Sequence, residues 1–352
     1  MRRLQIKKIK GGCEMKVGFA CAALAAMILL SPLSTAAPRA EVAELHMATQ
    51  YGIGTLAMVL VEKKQLLEKH LTQAGLQSTK VTWQQFPAGS PMNDGLLSGR
   101  LDIVSGGTTV FITLWGKTSG TSYAVRGIGA VSALPLYLLT RDPNVKKIED
   151  LGPNDKIAVT TLKVSVHAIL LQMAAEKIWG PGNGGRLDPL TIQIPHGDAA
   201  TAMISGAGEI NNHFSAPPFQ ELEMRAPHVR RISSQDEILG APASYMVAYT
   251  TERFRKENPK THQAFVDALS EAHEMIKKEP AECAKIYLDH SKDKISLDDT
   301  VALIKSPGST FEMTPQNVLT FAKFMAQRGI IKSAPNSWQD MFFPEVQNLP
   351  GS

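Results

Sequence analysis

A chain of 352 residues with 43% hydrophobic side chains can bury a large core, and that length favours two domains over one. Its 37 basic residues outnumber its 33 acidic ones, but six of the basic and one of the acidic residues fall within residues 1–37, leaving 31 against 32 and a net charge of −1. With no basic stripe beyond that first segment, the ordinary electrostatic footprint of a nucleic-acid binder is excluded, and no low-complexity tract, heptad array or short tandem repeat is present.

The N-terminus reads as an export signal. Lys16 precedes the apolar run of residues 17–30, and small residues lead to an Ala-x-Ala-like cleavage site near Ala36 or Ala37. The run is too short for a permanent anchor, so the mature chain is expected in the periplasm, beginning near residue 38. Two readings of the start stay open, a long basic leader from Met1 or a true start at Met15, and both give the same mature chain. Cys21 sits inside the apolar run with Gly18 three residues before it, which argues against a lipoprotein. Of the three cysteines only Cys283 remains after cleavage, excluding an intramolecular disulfide and a cysteine-based metal site.

In the mature chain "ELHMATQY", residues 44–51, reads as a strand opening into a polar loop. Residues 54–71 carry apolar side chains at helical spacing, with Lys63 interrupting the face and Gly75 as a stop. "KVTWQQF" alternates as a strand does, and Ser90 then caps a helix with Pro91 at its first position. "RLDIVSGG" is the next strand and "TTVFITLWGK" the next helix, which is the β-α-β-α-β order of a parallel sheet covered by helices. A second cycle follows: "KIAVTT" as strand, Ser165 as cap, an apolar helix over 166–179, "LTIQIP" as strand, and "GDAATAMISG" as helix. "ASYMVAYT", residues 243–250, returns as a strand to the first lobe. The tail is helical, with Phe265, Leu269, Ala272 and Ile276 on one face and a further helix opening at Thr314–Pro315.

One unit is written twice. "LLSGRLDIVSGG" (residues 96–107) and "MISGAGEINNHFS" (203–215) each end a helix at a Ser-Gly pair, pass an acid (Asp102, Glu209) and enter a short strand. Two similarly built lobes follow, residues 38–134 with 241–352 and residues 135–240, joined by two crossings near 132–137 and 240–245. Loops at the carboxyl ends of two such sheets would face each other across a cleft. Those loops are "TQY", "AGSP", "SGGTT", "TTLKVS" and "HFSAPP", rich in hydroxyls, amides and helix N-termini and poor in fixed charge. Such walls suit a small polar or anionic solute.

The stretches "FPAGSPMNDGLLSGRLDIVSGGTT", "IEDLGPNDKIAVT", "GEINNHFSAPPF" and "ERFRKENPKTHQAFVDALSEAHEMIKKEPAECAKIYL", in this order, resemble the periplasmic substrate-binding proteins of nitrate/sulfonate/taurine-type ABC importers. The resemblance spans nearly all of the mature chain. It implies a type II periplasmic-binding-protein fold, two Rossmann-like α/β lobes on a two-crossing hinge, closing on a solute and docking as a monomer on an inner-membrane permease, with no cofactor or metal. One departure is Gly208-Glu209-Ile210-Asn211-Asn212, where the family has Gly-x-(Val/Leu)-Asp-Ala. The ligand-binding candidates are Gln50, Tyr51, Gly89, Ser90, Thr108, Thr109, Thr161, Ser165, His213 and Phe214. Several have a plainer reading beside that one: Thr108, Thr109, Ser90 and Ser165 as helix caps, Tyr51 as a surface aromatic, His213 as a structural hydrogen-bonder. His167 and Trp83, Trp115 and Trp179 read as core.

Enzyme readings find little support. A pyrimidine-synthesising enzyme of the same fold needs a cysteine-rich motif that one mature cysteine cannot supply. No HExxH, no phosphate-loop Lys after "SGGTT" and no GxSxG occur. A sensory binding protein that feeds a receptor stays open beside the importer component.

Overall fold

The computed structural model describes residues 41–352 and Gly11; the export signal, its cleavage site and the start at Met15 lie outside the described residues. Ten strands among these residues form two five-stranded sheets. They are β1 (Glu44–Gln50), β2 (Lys80–Phe86), β3 (Ile103–Gly107), β4 (Val125–Ala133), β5 (Tyr137–Thr140), β6 (Ile157–Val159), β7 (Thr191–Gln193), β8 (Asn212–Ser215), β9 (Arg230–Ser234) and β10 (Ser244–Thr251). The first sheet runs β2-β1-β3-β10-β4 and the second β7-β6-β8-β5-β9.

The two orders are the same pattern. In each, three parallel strands meet one antiparallel strand, β10 in the first and β5 in the second, and each antiparallel strand is the one that has just arrived from the other sheet. The fold is bilobed α/β, and the written-twice unit has a physical meaning: it delivers β3 and β8, the middle strands. In both copies the helix ends at glycine in the left-handed region, Gly99 at φ 72° and Gly206 at φ 73°, where a side chain would be strained. Each parallel set is joined by one antiparallel strand, β10 or β5, whose direction follows from entering the sheet from the opposite side.

Both crossings are short. The chain leaves β4 at Ala133 and enters β5 at Tyr137, and it returns from β9 through the helix Gln235–Leu239 to β10. Gln220 clamps the first crossing, donating from Nε2 to the Pro135 carbonyl at 3.1 Å while its Oε1 accepts from the Tyr137 amide at 3.1 Å.

Helices cover the sheets by burying one face each. In the helix Pro259–Lys278 the side chains of Phe265, Leu269, Ala272 and Ile276 are all buried, as the spacing predicts, and each of the large ones contributes about 1.5–3 kcal/mol. The helix Val166–Trp179 is buried along nine of its residues because it is covered on more than one side. Three boundaries differ from expectation. The predicted continuous helix over 54–71 is two, Leu56–Lys63 and Leu66–Gln73, since Gln65 takes a left-handed φ of 53° and resets the apolar face onto Leu66, Leu67 and Leu71. The last helix is Val318–Gln327, not one opening at Pro315, because the Gln316 amide is taken by Ser244 Oγ and the Val318 amide by the Ser352 carbonyl. Ser90 does not cap its helix: it is the second residue of Gly89–Leu97, whose N-cap is Ala88, two residues earlier than expected.

Among the described residues Cys283 is the one thiol and it is buried, no helix is long and apolar enough to cross a membrane, and no group of three His, Cys, Asp or Glu side chains is placed to hold a metal ion.

Candidate functional site

Parallel strands bring their carboxyl ends to one edge, and an antiparallel neighbour brings its beginning to that same edge. In the first sheet this places Gln50 at the end of β1 with Tyr51 just after it, Gln85 near the end of β2 with Pro87 just after it, and Tyr245 at the start of β10 on one rim. In the second it places Pro195, His196, Gly197 and Asp198 after β7, and Phe219 after β8. Together with Tyr287, His290 and Asp293 these residues line a cleft of about 360 Å³. Two cavities of similar size, about 450 and 410 Å³, are lined only by the first sheet, its helices and the C-terminal segment. They are one-sided, whereas the cleft draws on both sheets.

His196 is the most firmly held polar group in the lining. It is the first residue of the helix His196–Ser205 and is nearly buried. Its Nδ1 lies 2.8 Å from His213 Nε2, His213 Nδ1 lies 2.9 Å from Glu223 Oε1, and that oxygen also accepts from Ser215 Oγ at 2.7 Å. All three partners behind His196 are fully buried. A chain of hydrogen bonds thus fixes the imidazole plane, with Nε2 3.5 Å from the Tyr245 hydroxyl. Burial first, then neighbouring His167 and His213, hold the His196 pKa well below the usual imidazole value, so the ring is neutral at neutral pH.

Aromatic rings frame this nitrogen. Phe219 stacks on His196 with centroids 5.8 Å apart and planes 22° apart. A side chain on Gly52, across the cleft, would lie 3.5 Å from the Phe219 ring, so the two walls meet there. On the other flank a Cβ at Gly54 would stand 2.8 Å from the Tyr245 ring; glycine is what lets β10 and that ring approach.

The sequence-predicted residues divide. Gln50 and Tyr51 line the cleft, Tyr51 being 56% exposed. His213 stands one residue behind the lining, holding His196. Phe214 is fully buried, with its ring 5.6 Å from that of His167. Thr108 donates to the Ser244 carbonyl at 2.7 Å and Thr109 to the Val164 carbonyl at 2.6 Å, so both hydroxyls are engaged with backbone, the second of them tying the helix after β3 to the loop after β6. Ser165 caps the helix Val166–Trp179, accepting from the Ala168 amide at 3.3 Å. Thr161 is buried with no hydrogen-bond partner for its hydroxyl. Gly89 is buried against Val110, and Ser90 is half-buried in the first turn of its helix. His167 is buried as expected but not satisfied: neither ring nitrogen has a partner, and its ring lies 4.6 Å from that of His196.

The residues that sequence reasoning passed over are His196, Phe219, Tyr245, Gln85 and Asp198. For His196 a signal existed. "LTIQIP" ends at Pro195 and "GDAATAMISG" starts at Gly197, so the residue between strand and helix was the one left unassigned.

The comparisons with known proteins bear on this geometry. No protein-family model matches the chain, and none of the curated proteins matches it. Among solved structures it is similar to the alkanesulfonate-binding protein SsuA from Xanthomonas axonopodis pv. citri bound to MOPS, with a TM-score of 0.64 and 19% identity over 82% of this chain and 94% of that one. The periplasmic aliphatic sulphonate binding protein SsuA from Escherichia coli gives 0.63 and 18%, over 89% and 95%. The fold is that of periplasmic binding proteins. The nitrate-binding protein NrtA from Synechocystis PCC 6803 shares it as well, at 0.64 and 12%, over 87% and 86%. These neighbours are of the kind that the sequence motifs resemble, and at such identities the likeness is one of fold.

Proposed function

We propose that this protein is the extracytoplasmic solute-binding component of an ABC importer, in which residues 38–134 with 241–352 form one lobe and residues 135–240 the other. One observation carries the reading: a cleft lined from the ligand-facing edges of two identically ordered sheets, with the chain crossing between them twice. A small organic solute binds in this cleft, contacts from the second lobe become available on closure, and the closed form is what a membrane permease recognises. Contacts such as Thr109 to Val164 and Arg225 to Asp299, at 2.6 Å each, would belong to that closed form.

The buried chain Glu223–His213–His196 has the outline of a catalytic relay, but the hydrogen-bond partners of His196 are His213 and Tyr245, and the hydroxyl of Ser215 is turned to Glu223. The hydroxyl that meets the imidazole is the phenol of Tyr245, whose pKa burial raises, so it is not activated as a nucleophile, which favours binding over catalysis.

Small-angle scattering of the exported protein, with and without a solute that raises its melting temperature, tests the closure. A bound solute at a hundred times its Kd adds about 2.7 kcal/mol to stability, which identifies it in a melt. The radius of gyration should then fall. Superimposable profiles would remove the closure mechanism.

A further inference from the structure

We infer that the solute is a ring-bearing organic molecule, uncharged or cationic, rather than a sulfonate, nitrate or other oxyanion. This rests on the proposed solute-binding role and names its ligand class.

Charge is the first argument. No Lys or Arg lines the cleft, while two carboxylates, Asp198 and Asp293, do. Helix N-termini ordinarily favour an anion. Here the helix that points its start at the cleft, His196–Ser205, carries Asp198 in its own first turn, so a fixed negative charge already stands where an anion would gain most. An oxyanion entering this space would meet like charge and exchange a full hydration shell for neutral partners, a poor trade at short range. A neutral His196 cannot offset this, since its burial keeps it unprotonated.

Shape and surface give the second argument. Tyr51, Phe219, Tyr245 and Tyr287 supply four aromatic side chains to a volume of about 360 Å³. That is at the small end of the roughly 300–1,000 Å³ of small-molecule sites, room for one or two rings. Phe219 lies against His196 on one side and near Gly52 on the other, so the rings border the space on this flank and a flat solute would sit beside them. Ring faces attract other rings and cations and gain nothing from compact anions. His196 lines the cleft, held through His213, and its Nε2 makes only a long contact of 3.5 Å to the Tyr245 hydroxyl, which a polar group on a heteroaromatic rim could replace.

Calorimetric titration of the exported protein, freed of carried-over ligand by unfolding and refolding, decides between the classes. The ring probes are tryptamine, cytosine and nicotinamide; the oxyanion probes are nitrate and ethanesulfonate. Saturable binding of a ring probe is expected, weakened tenfold or more by Phe219→Leu, which keeps apolar volume without the ring, and by His196→Phe, which keeps a ring without the nitrogen. Phe219→Tyr should retain it, and melting curves establish that each variant is folded. Asp198→Asn should weaken the cationic tryptamine and leave nicotinamide unchanged. Binding of an oxyanion with the ring probes silent would overturn the inferred class and leave the solute-binding role standing. Silence of both sets in refolded protein would overturn both. Ring binding indifferent to Phe219→Leu and His196→Phe would place the solute elsewhere and overturn the inference alone.

Discussion

At the scale of single residues, what decided legibility was whether a side chain's role is local or depends on a distant partner. Ser165 could be read because capping needs only the next three residues; its replacement by Ala should cost about 1 kcal/mol in urea unfolding, and a solute affinity that also falls would give it a second role. Thr108 and Thr109 could not be resolved the same way, since their partners, Ser244 and Val164, are 136 and 55 residues away. His196 escaped because it is neither strand nor helix in the pattern. The buried imidazoles also set a pH dependence. Burial lowers His167 to about 3 and His262 and His273 to about 4, and holds His196 well down. Between those values and the unfolded pKa of about 6.5 the unfolded chain binds protons that the folded one refuses. Stability from these groups is therefore complete above pH 6.5 and falls on acidification, by up to about 1.4 kcal/mol per pH unit for each ring. Glu221, which burial raises to about 7, and Glu68 and Asp102, which burial also raises, work in the opposite direction and offset part of this fall. Melting temperatures should drop steadily from pH 7 to pH 5; a flat or rising profile would show that the rings are more hydrated than their burial implies.

At the scale of elements, periodicity and punctuation carried most of the assignment. The faces of Pro259–Lys278 and the Ser-Gly stops before β3 and β8 rest on local chemistry that any neighbourhood would respect. The break at Gln65 and the late start at Val318 were not legible, because one depends on how Leu66, Leu67 and Leu71 meet the core and the other on amides claimed by Ser244 and Ser352. Close approaches between elements are likewise invisible in sequence. β4 passes so near the C-terminal segment that a Cβ on Gly127 would lie 2.4 Å from the Phe342 ring, itself stacked edge-on with Phe111 and Trp338. Gly127→Ala should therefore lose about 1–3 kcal/mol from overpacking, seen as a lower urea midpoint at unchanged slope.

At the scale of the whole molecule, the duplicated unit announced two sheets, and the motif order announced the kind of fold. The strand that joins each sheet from the other was foreseen for β10 but not its direction, which only the path of the crossings determines. The solute was the least legible feature, because charge in the cleft is set by which loops meet there, and "TQY" and "IPHGD" lie about 145 residues apart. The place of β10 also governs the order of events during folding. It pairs with β3 on one side and β4 on the other, and those two do not pair with each other. A growing chain that has already produced β1 to β4 must therefore wait until residue 251 has emerged before its first sheet can close. Such late, long-range pairing is slow, so β3 and β4, made early, stay without the strand between them until more than two thirds of the chain has been produced.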